Sequence, residues 1–206
     1  MESFDQLFLS YSGQRPKDLN QRNYCMYLRY ETEHLLLAIG NEESAKIINE
    51  YLVRNREDFS KWDLKLNDSY FTMEYQIRAV QAEQRIFLKN EGARYYLFLK
   101  DDPHRVIGNV SFGLTENKED HTCIIGYKTD RAERGNGYAY EAASFLIPKI
   151  AKDYGVKRFQ AEILPENLPS KALIEKLGFH FEKVVRNAHE FDGIERDILL
   201  YVQDVR

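Results

Sequence analysis

The sequence predicts an α+β fold with a mixed, mostly antiparallel sheet flanked by helices. Strand-like runs over 94–99, 106–114 and 122–129 are separated by turn signals, as expected for an antiparallel meander. Two runs with apolar residues at helical spacing lie before this meander. After it, a strand leads through a glycine turn into a helix, and strand, helix and paired-strand patterns follow.

Length and composition indicate one ordinary globular domain. The 206 residues can form one core, and 43% hydrophobic with 30% charged residues argue against extensive disorder. The net charge of -4 does not favour nucleic-acid binding and suits a cationic substrate. Cys25, Cys123 and five scattered histidines give neither a disulfide framework nor zinc-ligand spacing. We therefore expect reduced thiols, no metal and a cytoplasmic location.

The N-terminal part is predicted to contain an extension, a strand and two helices. Residues 1–26 read as an extension of uncertain order, without the apolar core of a signal peptide or membrane span, and 27–206 as the domain. The apolar run 35–37 predicts the first strand. Asn41 is expected to cap the first helix, and Thr72 a longer one that ends near Lys89.

The C-terminal part is predicted to alternate between helices and strands. Pro148 should kink or shorten the helix after the glycine turn, which Gly155 ends. A strand and a helix stopped by Gly178 follow. The last two strands are expected over 179–186 and 194–202. Their connecting loop is expected to hold Asn187, His189, Glu190, Asp192 and Gly193.

The glycine turn at 134–139 is the segment around which the other elements are arranged. A strand that enters such a turn at a helix start brings unpaired N–H groups and the positive helix end to one small volume. Gly135 and Gly137 allow a ligand to approach the backbone closely. The turn lacks the ending of a P-loop and the third glycine of a dinucleotide fold. It predicts a phosphate or pyrophosphate site, with an ordinary strand-to-helix connection as the alternative.

Residues 134–139 also fit the pattern Gln/Arg-x-x-Gly-x-Gly/Ala. This segment resembles the coenzyme A pyrophosphate loop of the GNAT superfamily of N-acetyltransferases. Flanking and upstream landmarks resemble its Rim-type branch, which acetylates ribosomal proteins: Ile125-Gly126-Tyr127, Glu141-Ala142, Asn55-Arg56, Trp62 and Phe71-Thr72. The resemblance extends from about Tyr30 to Tyr201. It implies an acyl-CoA N-acyltransferase fold with acetyl-CoA as co-substrate.

The resemblance also implies a set of coenzyme-binding residues. The end of the central strand, where the family's strand separates from its neighbour, would hold the pantetheine arm through backbone groups of Tyr127, Lys128 and Thr129. The pyrophosphate would contact the turn, which consists of Arg134, Gly135, Asn136, Gly137, Tyr138 and Ala139. Asn167 and Ser170 repeat the family's Asn-x-x-Ser spacing. Asn167 would contact pantetheine and Ser170 would donate a proton to the thiolate, although helix capping also accounts for both.

Two neighbouring residues compete for the role of general base. Glu190 lies in a segment similar to the family's Ala-Glu-Phe, where the glutamate faces the incoming amine. His189 is an insertion relative to that segment and is the competing base. The superfamily often places a tyrosine two turns after the asparagine, and Ile174 stands at that position here. This departure favours Ser170 as the acid.

The function that these features imply is acetyl transfer from acetyl-CoA to a primary amine by direct attack. A protein N-terminus, such as that of a ribosomal protein, is the acceptor that the resemblance implies. A polyamine or an aminoglycoside is an alternative within the same fold. A non-catalytic acyl-CoA-binding domain is the alternative from another class. The final strands, exposed in this fold, suggest a homodimer, and we expect neither a nucleic-acid nor a membrane partner.

Overall fold

The computed structural model describes residues 29–62, 67–115, 120–191 and 194–205, without the side chains of Glu190 and Phe191. The predicted extension over 1–26 therefore lies outside the described residues. The strands are β1 (Arg29–Glu31), β2 (Leu35–Ile39), β3 (Gly92–Leu99), β4 (Val106–Leu114), β5 (Thr122–Thr129), β6 (Arg158–Ile163), β7 (His180–Phe191) and β8 (Ile194–Asp204). The helices are α1 (Ala45–Arg54), α2 (Arg56–Phe59), α3 (Met73–Leu88), α4 (Tyr138–Tyr154) and α5 (Leu168–Lys176).

The strands form one sheet in the order β1-β2-β3-β4-β5-β6-β8-β7. Neighbouring strands are antiparallel except for β5 and β6, which are parallel and are linked by the crossover helix α4. This arrangement confirms the predicted α+β fold with a mixed, mostly antiparallel sheet. β4 and β5 have the predicted bounds.

Helices cover both faces of the sheet, because alternate residues of the strands point to opposite sides. One face packs on α4 and α5 and is called the α4 face; its core includes Ile125, Leu146 and Ile174. The other packs on α1 and α3 and is called the α1 face; its core includes Ile48 and Phe98.

Side-chain caps and left-handed glycines set several helix ends as predicted. The Asn41 side chain accepts a hydrogen bond from Ser44 N and caps a short 3-10 turn, so that α1 begins at Ala45. Thr72 caps α3. Gly155 ends α4 with a φ of 64°, a conformation that glycine adopts without steric cost.

The C-terminal half differs from the sequence predictions at two places. Pro148 does not shorten α4, which continues to Tyr154, and the alternative effect, a kink, stays a prediction. Pro148 and Ser144 are both exposed, so water can replace the hydrogen bond that the proline removes. The loop predicted at Asn187, His189 and Glu190 is part of β7, and positions 192 and 193 lie outside the described residues. A register shift between Val185 and His189, with Asn187 at a φ of 49°, accommodates the extra residues within the strand.

Candidate active site

An opening in the middle of the sheet separates the ends of β5 and β6. Within 120–191, all of which the structure describes, the two strands pair through Thr122, Cys123 and Ile124, and the pairing ends where Ile124 meets Gln160. β5 continues to Thr129 and remains paired with β4 on its other side. Beyond Ile124, the edge of β5 that faces β6 is therefore not paired with that strand, and Tyr127, Lys128 and Thr129 lie in this part of β5.

The glycine turn leads from the end of β5 to the N-terminus of α4. Gly135 and Gly137 have φ values of 85° and 84°, which explains the need for glycine at both positions. A Cβ atom built on either glycine would meet nothing within 4 Å, so the space beside the turn is open. Gly137 is the N-cap of α4 and provides no side-chain cap, so the first N–H groups of the helix face a site suited to an anion.

Two arginines of this loop interact with a carboxylate from α2. Arg134 Nη1 lies 3.6 Å and Arg131 Nε 3.7 Å from Asp58 Oδ2. Asp58 is largely buried, whereas the two arginine side chains are 44% and 77% exposed. These long contacts leave both guanidinium groups accessible to a bound anion.

Tyr127 and Ser170 meet on the α4 face of the opening. The Tyr127 hydroxyl donates to the Ser170 carbonyl over 3.0 Å and lies 2.8 Å from Ser170 Oγ. Burial raises the pKa of Tyr127 to about 12, and the Ser170 hydrogen bond lowers it only in part. The phenol therefore keeps its proton at neutral pH, and the contact joins β5 directly to the start of α5.

The other predicted residues around the opening have distinct surroundings. Asn167 is the N-cap of α5, and its Oδ1 accepts a hydrogen bond from Ser170 N over 3.2 Å. Ile174 is fully buried on the α4 face and is a packing residue. Lys128 points to the α1 face, where its Nζ lies 5.4 Å from the ring centroid of Phe59. Tyr138 and Ala139 form the first turn of α4.

A carboxylate that the sequence interpretation did not select lies on the α1 face of the opening. Phe159, Ala161 and Ile163 of β6 are buried on the α4 face, so Glu162 between them points to the α1 face. Glu162 is two residues beyond Gln160, the last residue of β6 that pairs with β5. Its Oε2 lies 2.7 Å from His189 Nε2. The sequence carried no special signal for it, because Glu162 occupies a regular polar position of the alternating strand, as Arg158 and Gln160 do.

The two predicted bases are adjacent on β7. His189 pairs with Arg196 of β8, and Glu190 pairs with Glu195. The side chain of Glu190 lies outside the part of the chain that the structure describes, so its role stays a prediction. Of the two predicted bases, His189 is therefore the one that the described geometry places in contact with Glu162, beside the opening.

The family model described as the acetyltransferase (GNAT) domain matches residues 37–180, well over half of the chain. This chain belongs to the GNAT acetyltransferase family. The match contains the opening, the glycine turn and the Asn167–Ser170 segment, and it confirms the family indicated by the sequence. The protein is an acetyl-CoA-dependent N-acetyltransferase.

Relatives of this GNAT acetyltransferase include enzymes that modify ribosomal proteins. The probable N-acetyltransferase YjcK of Bacillus subtilis (strain 168) is 30% identical over 143 residues, which are 69% of this chain and 78% of the relative. The ribosomal protein uS5-alanine N-acetyltransferase of Escherichia coli (strain K12) is 25% identical over 174 residues, 84% of this chain and 89% of the relative. The crystal structure of the ribosomal-protein-S5-alanine acetyltransferase from Vibrio fischeri has a TM-score of 0.80 and 24% identity, and the match covers 85% of this chain and 96% of that one.

Acetyl-CoA is the co-substrate of this GNAT acetyltransferase. Solved structures with the same fold include complexes with acetyl-CoA or coenzyme A. Among the residues that the structure describes, no group of histidine, cysteine or acidic side chains is arranged to bind a metal ion. No helix in the described ranges combines the length and the apolar character that a membrane span requires.

A polar contact fixes the first turn of α4 to the turn between β1 and β2. Glu141 accepts hydrogen bonds from Thr32 Oγ1 at 2.5 Å and His34 N at 2.8 Å, and it lies 2.9 Å from His34 Nδ1. The hydrogen bond with Glu141 raises the pKa of His34 above its ordinary 6.5. Burial raises the pKa of Glu141, but hydrogen bonds from the His34 backbone and Thr32 outweigh it and keep that pKa below 4.5.

This contact is expected to make stability depend on pH. The contribution of His34 is complete below pH 6.5 and is lost as the pH rises through its folded-state pKa. The contribution of Glu141 is lost as the pH falls through a folded-state pKa below 4.5. We expect His34→Gln to lower the free energy of unfolding more at about pH 5.5 than at about pH 8.5. Urea unfolding at both pH values measures this, with exposed His180→Gln as the control; equal losses at the two pH values would contradict it.

Proposed function

We propose that this enzyme acetylates the α-amino group of a protein N-terminus, and that the acceptor is a ribosomal protein. The opening between β5 and β6 carries the proposal, because the glycine turn lies at its end and Glu162 lies on its α1 face. The acceptor class is supported by the relatives from Escherichia coli and Vibrio fischeri, whose names give a ribosomal-protein alanine as the residue acetylated.

Acetyl-CoA is proposed to bind along the open edge of β5. β5 has no pairing with β6 beyond Ile124, and this edge of the strand, which spans Tyr127, Lys128 and Thr129, would contact the amides of the pantetheine arm. The pyrophosphate would contact the N–H groups of residues 134–139, where the helix dipole and Arg134 favour negative charge. Asn167, at the start of α5, would contact the pantetheine from the other side of the opening.

The acceptor is proposed to approach from the α1 face. Ile124 lies in β5, inside the sheet formed by the described residues, and is still 39% exposed, so the helices leave the sheet uncovered there. Glu162 lies beside this uncovered area, and its carboxylate would attract an ammonium group. The coenzyme and the amine would therefore meet at the opening from opposite faces.

The reaction is proposed to proceed by direct attack. The amine nitrogen forms a bond to the thioester carbonyl carbon, the carbon–sulfur bond breaks, and coenzyme A leaves as a thiolate. The proton lost by the amine goes to the Glu162–His189 pair, directly or through water, as for other general bases of this type. The Glu190 carboxylate is the alternative base on the same strand.

The Ser170 hydroxyl is proposed to stabilise the departing thiolate. A thiol has an ordinary pKa of about 8.5, so the thiolate needs little more than a hydrogen bond at neutral pH. Tyr127 keeps its proton because its pKa is about 12. With the coenzyme bound, the Tyr127 hydroxyl would turn its proton from the Ser170 carbonyl to Ser170 Oγ, and the serine proton would then be directed at the sulfur.

We expect a peptide with a free N-terminal alanine to be acetylated with a kcat/KM at least about tenfold above that of two competing amines. The first competitor is the same peptide with a blocked N-terminus and an internal lysine, and the second is spermidine. Thiol release measures turnover, and mass spectrometry identifies the acetylated atom. Preference for spermidine would place the acceptor among small-molecule amines. Absence of turnover with every peptide, while acetyl-CoA still binds, would also reject the proposed acceptor.

Location and assembly stay predictions that follow from this proposal. A cytoplasmic enzyme would meet ribosomal proteins, and the buried thiol of Cys123 is free. The proposed homodimer would use β7, which forms an edge of the sheet and has Phe181 50% exposed.

A further inference from the structure

We propose that Arg54 and Asn55, at the end of α1, position the loop that precedes the glycine turn and thereby determine the affinity for acetyl-CoA. This inference rests on the proposed coenzyme site. Neither residue belongs to the loop or to the strand that would contact the coenzyme. Both act through residues 130 and 131, which follow directly after β5.

Arg54 is bonded to the first residue of the loop. Its Nε and Nη2 donate to Asp130 Oδ2 over 2.7 and 2.5 Å, and Nη2 also donates to the Val106 carbonyl over 2.8 Å. Asp130 is 1% exposed, and its Oδ1 accepts a hydrogen bond from Ala132 N. Burial raises the pKa of Asp130, but hydrogen bonds led by that of Arg54 outweigh it and keep the pKa below its ordinary value. The carboxylate is therefore ionised at neutral pH.

Asn55 is bonded to the second residue of the loop. Its Oδ1 accepts a hydrogen bond from Arg131 N over 2.8 Å, and its Nδ2 donates to the Tyr51 carbonyl over 2.9 Å. The residue is 2% exposed, so this amide has one fixed orientation between α1 and the loop. The last residue of α1 and the cap residue after it thus hold two consecutive residues of the loop.

The exposed part of the loop depends on these anchors. Residues 134–137 are exposed, and a Cβ atom built on either glycine would meet no other atom within 4 Å. The contacts that the turn makes are long, 3.6 Å from Arg134 to Asp58 and 3.4 Å from Asn136 to Glu133, so they hold it less firmly than the anchors at 130 and 131. The position of the N–H groups of the turn is therefore set by the flanking segments, residues 130–133 and α4. A site whose donors are already in place avoids the entropy cost of ordering them when the ligand binds.

The experiment compares Arg54→Met with Arg94→Met. Arg94 forms a similar ion pair with Glu83, 2.7 Å long, that does not contact the loop. We expect Arg54→Met to raise the KM for acetyl-CoA and the Kd for coenzyme A about tenfold, as for loss of a charge-assisted hydrogen bond. The kcat at saturating acetyl-CoA and the KM for the acceptor peptide should change less than about twofold. Arg94→Met should lower the melting temperature without changing the Kd.

Conservative variants separate positioning from general stability. Asn55→Asp keeps the acceptor for Arg131 N, whereas Asn55→Leu removes it, so the Kd should rise more in Asn55→Leu. Arg54→Lys should recover part of the lost affinity. A Kd for Arg54→Met within about twofold of wild type would overturn the inference, as would equal increases in Arg54→Met and Arg94→Met.

Failure of the inference can be told from failure of the proposed coenzyme site. If Gly137→Glu abolishes binding and Arg54→Met binds normally, the turn binds the coenzyme but α1 does not position it. If Gly137→Glu binds normally, the site itself has been assigned incorrectly.

Discussion

Gly137→Glu is expected to raise the Kd for acetyl-CoA by about 100-fold or more, because like charges placed together at a binding site cost several kcal/mol. The new carboxylate would enter the open space beside the N-terminus of α4, where the unpaired N–H groups would bind it in place of the pyrophosphate. Calorimetric titration with acetyl-CoA and with coenzyme A measures both losses.

A matched variant controls for backbone strain at Gly137. Any side chain is strained at its φ of 84°, and Gly155 at the other end of α4 has a φ of 64°. The two glycines are about 27 Å apart along the helix. Gly155→Glu should therefore lower stability without changing the Kd. If both variants bind acetyl-CoA like the wild type, the glycine turn is only a connection between a strand and a helix.

Glu162→Gln is expected to lower kcat/KM by about 100-fold at pH 7, the typical contribution of a general base. The deficit should shrink at about pH 9, because an α-amino group with a pKa of about 8 is then already neutral. Steady-state kinetics over this pH range with the alanine peptide measure the effect. The Kd for acetyl-CoA should remain that of the wild type.

Glu190→Gln tests the alternative hypothesis that Glu190 is the general base. If Glu162 is the base, this variant should lose much less activity than Glu162→Gln and should keep the wild-type pH profile. The reverse outcome would assign the base to Glu190. His189→Gln should resemble Glu162→Gln, because the two side chains lie 2.7 Å apart and form one unit.

Local chemistry made most of the fold predictable from the sequence. Turn signals bracket β4 and β5, and Asn41 and Thr72 cap helical segments through contacts three residues away. The continuation of β7 through Asn187 was missed, because asparagine is typical of loops in a sequence. In the structure Asn187 has the left-handed conformation that asparagine adopts more readily than most residues. Only pairing with β8 makes it part of a strand.

Some features of the candidate site could likewise be predicted from local sequence, whereas others depend on the tertiary fold. The glycine turn was found because its chemistry lies in six consecutive residues. Glu162 was missed because it is a candidate only through its contact with His189. That contact requires the strand order β6-β8-β7, which the sequence does not reveal. Likewise, Arg54 and Asp130 are far apart in the chain, so their contact depends on the tertiary fold.

The strand order also has a consequence for protein synthesis. β1 to β5 form a meander in which each strand pairs with the preceding one, so these pairs can form as the chain emerges from the ribosome. The three-residue seam between β5 and β6 can form only after α4 has been made. Ser170, Glu162 and His189, the residues proposed to carry the reaction, all follow that point. A nascent chain that ends before β7 therefore has its glycine turn but not the complete proposed centre.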